Sequence, residues 1–212
     1  MSGIKIKHIV FDLGGVIVNL DPDLTIQAFA KLSGKSMNEI TEYYLHHELF
    51  HSYEKGLISN ADFRNGVRDL MAVKVIDNTI DYAWNAMLLD TPAMRLDWMR
   101  TLKDNYQVSI LSNTNDIHIS QVHQQLELVH GLENFSTLVH QVYYSHQINL
   151  RKPNEDIYEY VLARSPFDAE ETLFLDDNES NIVGAKSVGL QTMHVTDPNQ
   201  IPTLLNNAGI QL

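Results

Sequence analysis

His8-Ile9-Val10-Phe11-Asp12-Leu13-Gly14-Gly15-Val16 is the stretch on which the fold turns. His8 to Phe11 read as a short strand buried on both faces. Asp12 ends it, and the glycine pair that follows forces a turn. A buried strand closed by a carboxylate and a tight turn fits a parallel α/β sheet, in which ligands gather outside the carboxyl ends of the strands.

The pattern returns further along the chain. A helix from Thr91-Pro92 to about Asp104 leads to the apolar run Val108–Leu111, which ends in Ser112-Asn113. A helix is expected from about Asp116 to His130, then a strand at Val142–Tyr144, then Arg151-Lys152-Pro153 and a helix from Glu155 to Arg164. Thr172–Leu175 reads as a strand ending in Asp176-Asp177, followed by a helix from Ser180 to Val188 that stops at Gly189, and by a last strand at Thr192–Val195. Strands alternating with helices predict a Rossmann-like parallel sheet with helices on both faces.

Residues 21–90 break the alternation. Asp21-Pro22 is an N-cap signal and Gly34 a stop. Ser36-Met37-Asn38-Glu39 matches a capping box, with one helical stretch running on to Gly56. Ser59 or Asn60 opens another helix to Met71, and Asp77 caps one to Met87. The expected organisation is an α/β core from residues 1–20 and 91–212, carrying a helical cap at 21–90.

Composition narrows the function classes. The 212 residues contain no cysteine, which excludes disulfides, thiolate metal sites and cysteine nucleophiles. A net charge of -12 disfavours nucleic-acid and anionic-membrane partners, but leaves room for a small anionic substrate met by a few local cations. Met1–Lys7 lacks a secretory apolar core, and Ile9–Leu20 is too short and too polar to span a bilayer. The expected setting is cytoplasmic.

Four polar clusters follow predicted strands or open a helix: Asp12, Ser112-Asn113, Lys152 and Asp176-Asp177. Taken singly, each is ordinary turn or capping chemistry. Together they suit phosphoryl transfer. A carboxylate such as Asp12 can attack phosphorus and form an aspartyl-phosphate. Carboxylate and phosphate repel one another, and Mg2+ bridging both would remove that repulsion. Asp12 and Asp177 would be its carboxylate ligands, the Gly14 carbonyl a third oxygen, and Asp176 a second-shell or water-mediated ligand. Lys152 would balance the phosphate charge, while the Ser112 hydroxyl and neighbouring backbone amides, including that of Asn113, would donate to phosphate oxygens.

Phe11-Asp12-Leu13-Gly14-Gly15-Val16, Leu111-Ser112-Asn113, Lys152-Pro153 and Phe174-Leu175-Asp176-Asp177-Asn178 resemble, in order, the four signatures of the haloacid dehalogenase-like hydrolase superfamily. Gly14 and the residues Phe50, His51, Glu54, Gly56, Ile58 and Ser59 are similar to those of its small helical-cap phosphatases, of the bacterial α-D-glucose-1-phosphate phosphatase type. The resemblance implies a magnesium-dependent phosphatase acting on a small phosphorylated metabolite such as a sugar phosphate. It implies that His47, His51 and Glu54 could face the substrate.

One position departs from the pattern. Most phosphatases of the family carry an acid/base Asp two residues after the nucleophile, where this chain has Gly14. A non-catalytic phosphoester-binding protein is therefore the alternative. The same departure argues against a phosphomutase, and the Asp-Asp pair against a metal-free dehalogenase. A rival from another class is His47-Glu48-Leu49-Phe50-His51, a literal H-E-x-x-H zinc-protease motif. On a continuous helix it would align two imidazoles beside Glu48. A third histidine has no counterpart downstream, where Glu54 and Leu57 stand.

Overall fold

The computed structural model describes residues 5–212; the start of the N-terminal segment, 1–4, lies outside the described residues. Five parallel strands, β1 (His8–Phe11), β2 (Gln107–Ser112), β3 (Gln141–Tyr144), β4 (Thr172–Asp176) and β5 (Gln191–His194), form one sheet in the order β3-β2-β1-β4-β5. The chain reverses its direction of growth at the central strand β1, and such a switch point opens a crevice at the strand ends.

Alternation along each strand sends side chains to opposite faces. Ile9 and Phe11 enter one core together with Val108, Ile110, Leu173 and Leu175. Val10, Leu111 and Phe174 enter the other. The first face is covered by α6 (Ala93–Lys103), α7 (Asp116–His130) and α11 (Ile201–Asn207), the second by α9 (Glu155–Leu162) and α10 (Glu179–Ser187). The α/β architecture read from the sequence is the one observed.

Between β1 and α6 come five helices: α1 (Pro22–Ser33), α2 (Met37–His46), α3 (Glu48–Glu54), α4 (Asn60–Met71) and α5 (Asp77–Asn85). They bury a third cluster of their own around Phe29, Phe50, Phe63 and Trp84, joined by Ile117 from α7. The chain leaves and re-enters this insert side by side. Asn19 and Leu89 exchange backbone hydrogen bonds with Asp90 and Asn19, and Asp21 donates to Met87. Leu20 pairs with Leu88 in an antiparallel bridge. Buried Arg95 braces this ribbon from α6, donating to the Asn19 side chain at 2.8 Å.

Several local signals act as read. Asp21 caps α1, Gly34 ends it at φ 72, and the capping boxes at Ser36 and Ser59 are formed. Others do not. Asp77 is the first residue of α5, and Ile76 stands at the cap position; the Asp77 carboxylate goes instead to Arg68 and Arg64. Pro92, not Thr91, precedes α6, and the Thr91 hydroxyl is buried without a partner. The helical stretch from Met37 is broken at His47, whose backbone is extended at φ -81 and ψ 129. The short helix α8 (Ser145–Ile148) and α11 carried no signal strong enough to predict. No helix among the described residues is long and apolar enough to cross a membrane.

Candidate active site

The carboxyl ends of β1, β2 and β4 bring Asp12, Ser112, Asp176 and Asp177 to the same edge of the sheet, and the loop after α8 adds Lys152. Lys152 is the hub. Its ammonium, 1 % exposed, lies 2.8 Å from Asp12 Oδ1 and 2.6 Å from Asp176 Oδ2, and donates to the Leu111 carbonyl at 3.0 Å. Burial alone would lower the lysine, but the two carboxylates hold it above its ordinary value and keep it charged.

Asp12 is pushed well above the usual carboxylate range, first by burial and then by Asp176, with Lys152 opposing. Asp177 is raised for the same two reasons. One oxygen from each of Asp12, Asp176 and Asp177 falls within 4.8 Å of the others. Three carboxylates against one ammonium leave excess negative charge in a partly dry crevice, which a hard, oxygen-seeking dication would relieve. The donor set therefore fits magnesium.

The two members of the Asp-Asp pair differ. Asp176 is fully buried and its oxygens are taken up by Lys152, by the Asn178 amide at 2.8 Å and by Asn181 Nδ2 at 3.0 Å. Asp177 is exposed at the crevice. Gly15 makes room for it: at φ +75, a Cβ there would lie 2.1 Å from Asp177 Oδ2. Read from the sequence only as part of a turn, Gly15 is thus part of the acidic pocket's wall.

Asn113 holds a position not foreseen. Its Oδ1 accepts from the Lys152 amide and its Nδ2 donates to the Lys152 carbonyl, both at 2.9 Å. That paired bond fixes the lysine's peptide and leaves only the Asn113 main-chain amide for a ligand. Ser112 is buried, and its hydroxyl has just one long contact, 3.5 Å to the Asn113 carbonyl. It is free to donate to an anion.

A cavity of about 80 Å³ opens between this edge and the insert, reaching from Gly14 and Ser112–Thr114 to Tyr44 and Glu54. Of the three insert residues expected near substrate, Glu54 alone lines it. His47 caps α3 by accepting from the Leu49 amide, and His51 bonds the Leu45 carbonyl. His47 stands at a helix break, so the H-E-x-x-H motif does not lie on one continuous helix, and the geometry gives the rival zinc-protease reading no support. Glu54 pairs at 2.6 Å with Arg151, whose guanidinium also reaches the Lys152 carbonyl at 3.2 Å. In the sequence, Arg151 is set apart only by its place next to Lys152.

A match to the haloacid dehalogenase-like hydrolases extends over residues 6–189. The chain belongs to that family. D-ribitol-5-phosphate phosphatase of Bacteroides thetaiotaomicron is 32 % identical over 187 residues, covering 88 % of this chain and 90 % of that protein. Among solved structures, a family enzyme from Bacteroides thetaiotaomicron in complex with magnesium and inorganic phosphate aligns with a TM-score of 0.80 at 36 % identity, over 89 % of this chain and 93 % of the other. A predicted haloacid dehalogenase-like hydrolase from Porphyromonas gingivalis aligns with a TM-score of 0.86 at 28 % identity, over 97 % and 99 %. The chain is an enzyme of this family, with the makeup of a phosphoric monoester hydrolase.

Proposed function

We propose that this hydrolase is a magnesium-dependent phosphatase for a small phosphorylated metabolite, a sugar or polyol phosphate, and that it works through an aspartyl-phosphate on Asp12. The observation that carries the reading is Asp12 at the end of the central strand, 2.8 Å from the buried Lys152 ammonium and grouped with Asp176 and Asp177. Magnesium held by Asp12, Asp177 and the Gly14 carbonyl would offset the repulsion between carboxylate and phosphate.

An Asp12 oxygen attacks phosphorus as the bond to the leaving oxygen breaks. The Lys152 charge, the Ser112 hydroxyl and the Asn113 amide receive the phosphate oxygens. Water then attacks the phosphorus of the acyl phosphate, releasing phosphate and restoring Asp12. Asp176 keeps Lys152 in place. Helices α1–α5 act as a cap over the site, with Glu54 placed to accept from a substrate hydroxyl. The 32 % identical phosphatase, named for D-ribitol 5-phosphate, supports a polyol or sugar leaving group.

Gly14 favours one other reading, a protein that binds phosphoesters without turning them over. Phosphate release from 4-nitrophenyl phosphate and a panel of sugar phosphates, with magnesium and with chelator, decides between the two. The enzyme reading requires magnesium-dependent release; silence on every ester from folded protein in magnesium favours the binder.

A further inference from the structure

Position 14 has no side chain, and its space is taken. A Cβ built on Gly14 would lie 2.4 Å from Leu20 Cδ1 and 3.3 Å from Leu20 Cγ. Gly14 does not have a positive φ, so a larger residue there meets no backbone strain but only the end of the half-buried Leu20 side chain, which must shift to admit it. Leu20 belongs to the ribbon that joins the insert to the sheet, yet its side chain lines the cavity beside the phosphate-handling edge. Leu88, Met87, Ile119 and Val122 continue the same apolar wall.

The polar groups of that cavity offer no free proton donor of suitable strength. His118 Nε2 donates to the Trp84 carbonyl at 3.0 Å while Nδ1 accepts from Asn115 Nδ2 at 3.1 Å, so the neutral ring is used at both nitrogens. Glu54 is held by Arg151. Tyr44 is a weaker acid than an ordinary tyrosine because it is buried, with Glu54 adding to the effect.

We propose that Leu20 is a specificity-determining residue: by filling the space beside Gly14 it keeps a proton donor away from the leaving oxygen and makes phosphoesters whose leaving group departs unaided the fastest substrates of the enzyme. This rests on the phosphatase reading above. When the P–O bond breaks, its electron pair stays on the leaving oxygen, which takes a proton from bulk water only after departure. Aryl, enol and anomeric (hemiacetal) phosphates suit such a site best; phosphates of primary alcohols, D-ribitol 5-phosphate among them, turn over more slowly.

The test compares kcat/KM for 4-nitrophenyl phosphate, a hexose 1-phosphate and D-ribitol 5-phosphate in the wild type, Gly14→Asp, Leu20→Ala and Gly14→Asp/Leu20→Ala. Positioned general acid catalysis is worth about 10²–10⁴-fold. The wild type should lose that order of rate from the aryl to the ribitol ester, and only the double variant should recover part of it. Wild-type activity on D-ribitol 5-phosphate equal to that on the aryl ester overturns the proposal, as does full recovery in Gly14→Asp alone or none in the double variant. Melting temperatures give a second arm that needs no turnover: Gly14→Ala should destabilise the protein, and much less so when Leu20→Ala is already present. Additive effects there overturn the steric claim. Absence of phosphate release from every ester would instead defeat the phosphatase reading, with the stability arm still deciding what fills the space.

Discussion

At the residue scale the roles of the acidic groups separate by their partners. Asp12→Asn should abolish phosphate release, because an amide cannot attack phosphorus, while the protein still folds; turnover near wild type would end the covalent mechanism. Asp177 faces the crevice and Asp176 does not. Asp177→Asn should chiefly raise the magnesium concentration at half-maximal activity. Asp176→Asn should instead lower kcat and stability together, because it leaves the buried Lys152 ammonium half-paired. A titration of activity against magnesium, read beside the melting temperature, tells the two apart. Asn113→Ala, which frees the Lys152 peptide at both of its hydrogen bonds, should cut kcat several-fold with little change in the magnesium requirement. The sequence singles out Asp12, Lys152 and Asp177 because their chemistry limits which residue types can serve, and the structure brings them to one edge of the sheet. The part played by Asn113 was not legible there, since an asparagine after a strand serves equally well as a donor to ligand or to backbone.

At the scale of elements, the junction of α5 and α7 carries a pH dependence. Burial lowers His118 to about 4, and its neutral form is matched to Trp84 and Asn115. The unfolded chain binds this proton near pH 6.5 and the folded one does not, so the stabilisation is complete above about pH 6.5 and is lost as the pH falls towards 4. Its upper bound is roughly 3 kcal/mol. Urea unfolding at pH 7.5 and at pH 5 should show a loss that shrinks in His118→Asn; an unchanged loss would place the pH dependence elsewhere. His8, also lowered to about 4 by burial and by His140, contributes in the same direction. The helices themselves were read well where a capping side chain or a stop glycine marked the end, as at Asp21, Ser36 and Gly34. The break at His47 escaped because the apolar period continues through it, and periodicity cannot register a change in chain direction.

For the whole molecule, contacts between insert and sheet join residues far apart in sequence. Arg151 and Glu54 are separated by 97 positions, Ser145 donates to the Glu54 carbonyl across 91, and Asn60 to Asp116 across 56. No local pattern encodes such pairs, which is why a parallel sheet and a helical insert can be anticipated from the sequence, but not the strand order, the split into α2 and α3, or the way insert and sheet meet. Gly56 is one point of closest approach: a Cβ there would lie 2.0 Å from the His146 carbonyl. Ligand binding should register globally. Magnesium binding only the folded state stabilises it in proportion to the logarithm of its concentration, by about 2.7 kcal/mol at a hundredfold excess over Kd. Melting should therefore rise with added magnesium and fall back with chelator, and Asp177→Asn should need more metal for the same rise. A melting temperature indifferent to magnesium at concentrations that support turnover would count against the acidic cluster as its site.

The paired segments Asn19–Asp21 and Met87–Asp90 also bear on how such an enzyme diversifies. Departure and return lie side by side, so the sheet spans no gap that the intervening chain must bridge. The entropy of closing a loop between adjacent points grows only slowly with its length. Lineages can lengthen, shorten or exchange what is threaded there while β1, β2 and β4 keep the same phosphate chemistry. Leu20 and Asp12 then stand on opposite sides of an evolutionary seam: on one side the reaction is fixed, on the other the clientele can be redrawn.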